Sequence, residues 1–240
     1  MLDYQTFCFL ENPKTGTTFV VNFLKTFSSE PIVEFRKHIP VRAPVEGKLY
    51  SIGVREPLDT YLSIFHFGRE GHGGIRYAIA KAGHDDLYAA GAEGFDGWLR
   101  LILEPTFILK HSQEFRLPLE QYGLITARYR NLACFGGTSP EPAVDETLRF
   151  ENLRGDLAAL VEKRLSHAIT DLGAANHWIS QNPPLNATVR LDRDNPFPVR
   201  QSTIDRLLDR EAMLYERFYP ELAGTLRAGG STANVKVVPG

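Results

Sequence analysis

Apolar residues recur along this chain at two spacings, and each spacing predicts one kind of element. Apolar runs at 6–11 and 49–54 predict buried strands, and a third strand is expected near 31–36. At 17–28 and 58–68 apolar side chains return every three or four positions, which predicts helices. This β-α-β-β-α order is typical of parallel strands joined by helical crossovers. It predicts an α/β fold, specifically a three-layer sandwich with a central, mainly parallel sheet.

The pattern is weaker in the rest of the chain. Residues 68–97 contain eight glycines, which predicts a mobile segment with short helices that acts as a lid or binds an acceptor. The other elements expected are a helix at 95–103, a strand at 144–150, a helix at 152–165, an irregular loop at 181–198 and a helix at 201–218. We predict one domain over 1–222 and a flexible tail over 223–240.

The first predicted strand leads into a loop with the chemistry of an anion site. Residues 11–19 read Glu-Asn-Pro-Lys-Thr-Gly-Thr-Thr-Phe and end in the predicted helix. Amides at a helix start lack intrahelical partners and carry positive partial charge, so an anion can bind there. In a nucleoside-triphosphate P-loop the lysine follows the last glycine. Here Lys14 precedes Gly16, so the loop is predicted to bind phosphate in a different way.

A second anion site is predicted where the strand at 49–54 ends. Pro57 suits the first turn of a helix, which places Arg55 at the carboxyl end of that strand. Ser63 follows about two turns along, with its side chain tilted back towards the helix start. A guanidinium fork and a hydroxyl together suit a phosphate. Two anion sites at two strand ends predict a ligand that is phosphorylated at two positions.

These motifs resemble those of the sulfotransferases that use 3′-phosphoadenosine 5′-phosphosulfate (PAPS). Residues 13–19 resemble the family's 5′-phosphosulfate loop, and residues 54–63 resemble its 3′-phosphate motif. Residues 37–40, Lys-His-Ile-Pro, are similar to the Lys-x-His-Leu-Pro segment of the cytosolic members. Residues 148–153 resemble the family's Arg-Tyr-Glu-Asp-Leu segment, with Phe150 in place of the tyrosine. The matches follow the family's order and are strongest before residue 65.

The resemblance implies a P-loop-NTPase-like sulfotransferase fold and transfer of a sulfuryl group from PAPS to a hydroxyl or amine. It implies that Lys14 stabilises the leaving phosphate and that His38 is the general base, with Glu34 in reserve. An unperturbed imidazole titrates near ~6.5, so it is largely neutral at physiological pH. Phe19 is expected either against the adenine or in the core. The cofactor-binding residues implied are Lys14, Thr15, Gly16, Thr17, Thr18, Phe19, Arg55 and Ser63.

Two other functions compete with this interpretation. One is a P-loop kinase of a nucleotide or small molecule, which needs Mg²⁺ and a lysine after the final loop glycine, where this chain has Thr17. The other is a non-catalytic module that binds adenosine 3′,5′-bisphosphate. The histidines at 66, 72 and 84 match no tight metal-binding spacing, so no metal site is predicted. The acceptor, whether a small molecule or a glycan, is not identified by any motif.

Composition narrows the class of protein further. The 240 residues are 43% hydrophobic and 23% charged with a formal net charge of −2, which favours a globular protein over one that seeks nucleic acid. No run approaches the ~20 apolar residues of a membrane span. Cys8 and Cys134 are too few for a disulfide framework, which favours a reducing cytoplasm. The oligomeric state and the roles of Arg190 and Arg200 are open.

Overall fold

In a computed structural model of the protein, residues 1–111, 117–182 and 196–239 are described. The chain divides into two compact units, each made of two sequence segments. The first unit comprises Met1–Arg55 and Arg128–Ala187, and the second comprises Glu56–Ala127 and Thr188–Gly240. The expectation of one domain over 1–222 stays a prediction. Arg190 lies outside the described residues, as does most of the predicted loop at 181–198.

A five-stranded sheet forms the framework of the first unit. The strands of the described residues are β1 (Leu2–Asp3), β2 (Phe7–Leu10), β3 (Glu34–Phe35), β4 (Leu49–Val54), β5 (Glu146–Arg149), β6 (Phe197–Arg200) and β7 (Val235–Val238). The first five form an open sheet in the order β3-β1-β2-β4-β5. β1 runs antiparallel to both β2 and β3, whereas β2, β4 and β5 are parallel. The fold is therefore α/β, as predicted, but the sheet is mixed rather than mainly parallel, because β1 joins it as a short antiparallel strand.

Helices make up most of the remaining structure. In chain order they are α1 (Thr17–Phe27), α2 (Pro57–Arg69), α3 (Gly74–Lys81), α4 (Asp86–Ala89), α5 (Gly94–Ile102), α6 (Pro105–His111), α7 (Leu124–Ala133), α8 (Leu153–Leu160), α9 (Leu172–Gln181), α10 (Gln201–Arg210), α11 (Ala212–Phe218) and α12 (Pro220–Arg227). A π-helical turn at Val161–Leu165 continues α8. The helices predicted at 17–28, 58–68 and 95–103 are confirmed to within about two residues, the usual uncertainty of helix ends.

The core of the first unit joins the sheet to α1, α8 and α9. All four residues of β2 are buried, and the apolar stripe predicted for α1 is buried as well. Trp178 of α9 packs on this stripe, with its ring centroid 4.9 Å from that of Phe19 and 5.7 Å from that of Phe23. Full burial of a phenylalanine side chain, as at Phe19 and Phe23, stabilises a fold by roughly 1.5–3 kcal/mol. This packing fixes the direction in which α1 leaves the loop that precedes it.

The second unit contains a helical array and the two-stranded parallel sheet of β6 and β7. Its aromatic core is built around Phe65, whose ring centroid lies 5.2 Å from Phe95 and 5.4 Å from Trp98. The short helices predicted in the glycine-rich segment are present as α3, α4 and the start of α5, and the lid role stays a prediction. The predicted tail contains the end of α12 and strand β7, so these residues have regular structure, and their flexibility stays a prediction.

A buried glutamate begins α2 in the second unit. The Glu56 carboxylate accepts hydrogen bonds from the amides of Leu58 at 2.9 Å and Asp59 at 2.5 Å, which satisfies two donors of the first turn. Pro57 occupies the first helical position, as the sequence predicted. The Tyr215 hydroxyl also donates to this carboxylate. Burial raises the pKa of Glu56 to about 7.

A second buried glutamate explains why the helix predicted at 201–218 is two helices. Glu211 lies between α10 and α11 and is fully buried. Its carboxylate accepts hydrogen bonds from the amides of Ile125 at 3.1 Å and Thr126 at 2.7 Å, at the start of α7, and from the Tyr61 hydroxyl at 2.5 Å. Burial raises its pKa. The break between α10 and α11 therefore coincides with a buried carboxylate that accepts hydrogen bonds from the first turn of α7.

Candidate functional site

The two predicted anion-binding segments emerge at one edge of the sheet. β2 and β4 are adjacent parallel strands with Leu10 paired to Ile52, so their carboxyl ends lie side by side. The loop that contains Lys14 follows β2 directly, and Arg55 follows β4 directly. The carboxyl ends of parallel strands are where open α/β sheets bind ligands. The order of the elements thus places both cations at this edge.

The backbone of the loop adopts two left-handed residues before α1. Lys14 has φ +68° and Gly16 has φ +76°. A lysine in this region is uncommon and is held there by its surroundings. Gly16 caps α1, its carbonyl accepts from the Phe19 amide at 3.0 Å, and a Cβ at this position would lie 2.5 Å from a methyl of Leu153. Only glycine fits, and the first amides of α1 are thereby turned towards the loop.

Asn12, which the sequence did not identify, and Thr15 anchor the loop to β4. The Asn12 amide donates to the Gly53 carbonyl at 3.0 Å, and the Thr15 hydroxyl donates to the Asn12 carbonyl at 2.8 Å. A Cβ at Gly53 would lie 2.4 Å from that hydroxyl. Thr15 is buried, so its side chain supports the loop, and only its backbone is suited to hold a ligand. The sequence signal for this contact is Gly53 itself, because glycine inside an apolar strand indicates close approach of another segment.

Arg55 connects the two predicted sites. Only 6% of its surface is exposed. Its Nη1 donates to the Lys14 carbonyl at 3.1 Å, and its guanidinium carbon lies 4.1 Å from the centroid of the Phe150 ring. Phe150 also borders Gly16, since a Cβ there would be 3.2 Å from the ring. A guanidinium stacked on a ring and bonded to a carbonyl is oriented before any ligand arrives.

His38 lies at the same strand end. Its Nδ1 is 3.0 Å from the carbonyl oxygen of Glu11, the residue that follows β2. A carbonyl only accepts, so Nδ1 carries the proton of the neutral ring and Nε2 carries the lone pair. The side chain is exposed, with a left-handed backbone at φ +57°. A neutral His38 is therefore oriented to accept a proton on its outward nitrogen.

Glu34, the reserve base, is less suited to that role. Its carboxylate forms an ion pair with the Arg36 guanidinium at 2.5 Å. This hydrogen-bonded pair lowers the pKa of Glu34, which makes it a weaker base. Arg36 is thus occupied with Glu34. Between the two candidates, the geometry favours His38.

The remaining predicted residues fall in different places. Thr17 and Thr18 form the first turn of α1, the former buried and the latter half-buried. Phe19 is 2% exposed and packs against Trp178, so its contacts favour the core role over contact with an adenine. Ser63 is buried on α2 and belongs to the second unit. The first unit therefore brings together Lys14, the backbone of residues 15–18, His38 and Arg55.

Arg200, whose role the sequence left open, is engaged within the second unit. Its guanidinium forms an ion pair with Asp96 at 2.5 Å, and Thr203 donates to the same carboxylate at 2.7 Å. Burial acts to raise the pKa of Asp96, but the hydrogen bonds from Arg200 and Thr203 outweigh it and lower that pKa. This arrangement joins α5 to the start of α10 and gives Arg200 a structural role.

Metal-ligating groups and membrane spans were sought in residues 1–111, 117–182 and 196–239. Within these ranges no three His, Cys, Asp or Glu side chains are grouped so that they could hold a metal ion. In the same part of the chain, no helix combines the length and apolar character needed to cross a bilayer. Cys8 and Cys134 are both buried and form no disulfide.

Comparisons with models of known protein families, with curated proteins and with solved structures found no match to this chain. The function must therefore be inferred from the residues at the sheet edge and their geometry. Those residues combine a half-buried lysine, an oriented guanidinium, a helix start and an imidazole with an outward lone pair. This set of groups suits binding of an anion and removal of a proton beside it.

Proposed function

We propose that this protein is a PAPS-dependent sulfotransferase with a P-loop-like nucleotide site, acting on a hydroxyl or amine of an acceptor. The observation that carries the proposal is the hydrogen bond from Arg55 to the Lys14 carbonyl, at 3.1 Å. It joins the ends of two adjacent parallel strands and places two cationic residues beside the start of α1. A donor with phosphates at both its 3′ and 5′ positions would use two such groups.

The loop is assigned to the 5′-phosphosulfate. The amides of Thr17 and Thr18 at the start of α1 would hold the phosphate oxygens. Negative charge grows on the leaving phosphate as its bond to sulfur breaks, and the Lys14 ammonium would stabilise that charge. Groups that are held in position before the reaction are effective at this task, because they need no reorganisation when the charge develops.

Arg55 is assigned to the 3′-phosphate. The stack on Phe150 and the bond to the Lys14 carbonyl fix the plane of its guanidinium, which favours a defined, directional phosphate contact. A site for the 3′-phosphate would distinguish PAPS from nucleotides that lack it.

His38 is assigned as the general base. An acceptor oxygen or nitrogen attacks sulfur, a new bond to sulfur forms, and the bond between sulfur and the 5′-phosphate oxygen breaks. The proton of the acceptor passes to Nε2 of His38, whose Nδ1–H is held by the Glu11 carbonyl. General-base catalysis of this kind contributes on the order of 10²–10⁴ in rate.

Calorimetry with adenosine 3′,5′-bisphosphate tests the nucleotide site. We expect it to bind at least about tenfold more tightly than AMP, because the additional phosphate forms charge-assisted hydrogen bonds. Lys14→Ala should weaken binding of both nucleotides, and Arg55→Ala should remove the preference for the bisphosphate. Lys81→Ala, an exposed lysine on α3, is the matched control. Equal affinity for AMP and the bisphosphate would contradict the proposal.

Turnover with labelled PAPS and a panel of hydroxyl and amine acceptors tests whether the protein is a sulfotransferase or a non-catalytic module that binds the bisphosphate. We expect the wild type to be active. We expect His38→Ala to bind the bisphosphate normally but to transfer the sulfuryl group about 10²-fold more slowly. A wild type that binds the bisphosphate but transfers nothing to any acceptor would favour the non-catalytic module.

A further inference from the structure

Exposed apolar side chains are concentrated in one short part of the first unit. Seven large apolar side chains are exposed among the described residues, and five of them lie between residues 32 and 45. They are Ile32, Val33, Phe35, Ile39 and Val45. Single exposed apolar residues are ordinary, whereas contiguous apolar patches mark surfaces that contact something else. The exposed residues here lie in β3 and in the segments on either side of it along the chain.

β3 is an edge strand of the five-stranded sheet, with β1 on one side. The Arg36 amide donates to the Met1 carbonyl at 3.0 Å, across the β1 side. Because successive residues of a strand direct their backbone groups to opposite sides, the backbone N–H and C=O of Phe35 point to the outer side. An outward pair of this kind is a template for an additional strand.

The sequence of β3 is complementary to itself when two copies run antiparallel. With Phe35 opposite Phe35 of the second copy, Glu34 of each chain lies opposite Arg36 of the other. Glu34 and Arg36 already lie on one face, since their side chains form an ion pair at 2.5 Å. The Phe35 ring lies on the other face, with the Lys25 ammonium 3.6 Å from its centroid. Opposite charges and paired aromatic rings across strands both stabilise an antiparallel pair.

We propose that β3 pairs with β3 of a second copy of this chain, forming a two-fold symmetric dimer with a continuous ten-stranded sheet. The occupant is a second copy because the charge order Glu-Phe-Arg is matched by its own antiparallel image, the condition for an isologous interface. Charges on an edge strand also discourage pairing with other sequences, so the same two residues give selectivity. The paired segment is short, so association is weak and depends on concentration.

Sedimentation velocity from about 1 μM to about 1 mM tests the dimer. Wild type is expected to shift from monomer to dimer in this range. Glu34→Arg places arginine opposite arginine twice, and Arg36→Glu places glutamate opposite glutamate twice. Each variant alone is expected to self-associate at least about tenfold more weakly. Glu162→Arg, at an exposed position in the same unit, is the control and should leave the dimer unchanged.

An equimolar mixture of the two variants is the decisive sample. The two arginines of the Glu34→Arg chain would then face the two glutamates of the Arg36→Glu chain, so a heterodimer should form with about wild-type affinity. The ion pair within each chain is still lost in the mixture, so recovery reports the contact between chains alone. A monomeric wild type at every concentration would overturn the proposal, as would single variants that dimerise like wild type or a mixture that stays monomeric.

Discussion

The two units of the molecule place their polar groups in opposite ways. In the first unit, Lys14, Arg55 and His38 sit at strand ends, beside backbone that is left-handed at two of the three positions. In the second unit, the most deeply buried acids are Glu56 and Glu211, and both hold helix starts and tyrosine hydroxyls. Every bond described for those two carboxylates is internal to the fold.

The comparison shows that the carboxyl groups with raised pKa values are not the groups of the candidate site. Perturbed carboxyls often mark active sites, but ion-pair and capping networks perturb them as well. Burial raises the pKa of Glu56 and of Glu211 because it disfavours the charged carboxylate. Both groups accept hydrogen bonds at helix starts, which is a structural role. The candidate site of the first unit is recognised instead by backbone conformation and by groups that face a helix start. Four predictions test this division, beginning with the largest effect.

Replacing Lys14 should affect chemistry without affecting the fold. We expect Lys14→Ala to lower kcat by about 10²–10³-fold, the usual cost of removing one group that stabilises developing charge. Its unfolding midpoint should stay close to that of wild type, because the side chain is only half-buried. Turnover with labelled PAPS and thermal unfolding by circular dichroism measure the two quantities. Near-normal turnover would show that the loop lysine does not stabilise the leaving group.

Replacing Glu211 should have the reverse effect. Glu211→Ala leaves the Tyr61 hydroxyl and two amides of α7 without their acceptor in the interior, and should lower the free energy of unfolding by about 3 kcal/mol or more. Trp98 lies in the second unit and Trp178 in the first. In a chain that also carries Trp178→Phe, the fluorescence of Trp98 during denaturant unfolding measures the free energy of unfolding of the second unit.

Glu216→Ala, an exposed glutamate on α11, is the control for this experiment. It should change the free energy of unfolding by no more than about 0.5 kcal/mol. If Glu211→Ala is as mild as this control, the buried carboxylate does not organise the second unit.

Two glycine substitutions distinguish close approach from open space. Gly53→Ala would bring a Cβ within 2.4 Å of the Thr15 hydroxyl, so we expect a loss of about 1–3 kcal/mol in stability and weaker bisphosphate binding. Gly224→Ala on α12 meets nothing within 4 Å and should gain about 0.5–1 kcal/mol from helix propensity. Denaturant unfolding of both variants gives the comparison. A harmless Gly53→Ala would mean that the loop is not anchored to β4.

The fourth prediction concerns pH. Burial raises the folded-state pKa of Glu56 to about 7, above the ordinary value of 4.5. Its protonated form therefore stabilises the fold fully below about pH 4.5, and this contribution is lost as the pH rises through about 7. Between pH 5 and 7 wild type should gain stability on acidification relative to Glu56→Gln, which does not titrate. Parallel pH dependence of the two proteins would show that Glu56 stays ionised when folded.

Much of the fold was predictable because it depends on local pattern. The strand at 49–54 is present with those bounds, and α1 and α2 lie where apolar residues return at helical spacing. Other features could not be predicted. β1 has two residues, too few to show an alternation, and the break at Glu211 depends on amides more than 80 residues away.

The residues of the candidate site also divide into those that the local sequence predicts and those that depend on distant contacts. Lys14, Gly16 and Arg55 were identified from the sequence because a strand, a loop and a helix start follow one another directly along the chain. The anchors at Asn12 and Gly53 were not identified, because they depend on contacts between β4 and a loop some 40 residues earlier.

The sequence by itself determined the order of strands and helices and the position of the cationic loop, since backbone periodicity and helix-start chemistry operate within a few residues. The tertiary structure alone decided that the sheet is mixed, that Phe19 packs in the core, and that His38 is held by the Glu11 carbonyl. These outcomes depend on which distant segments pack together, and the free energy of that packing is a property of the whole chain.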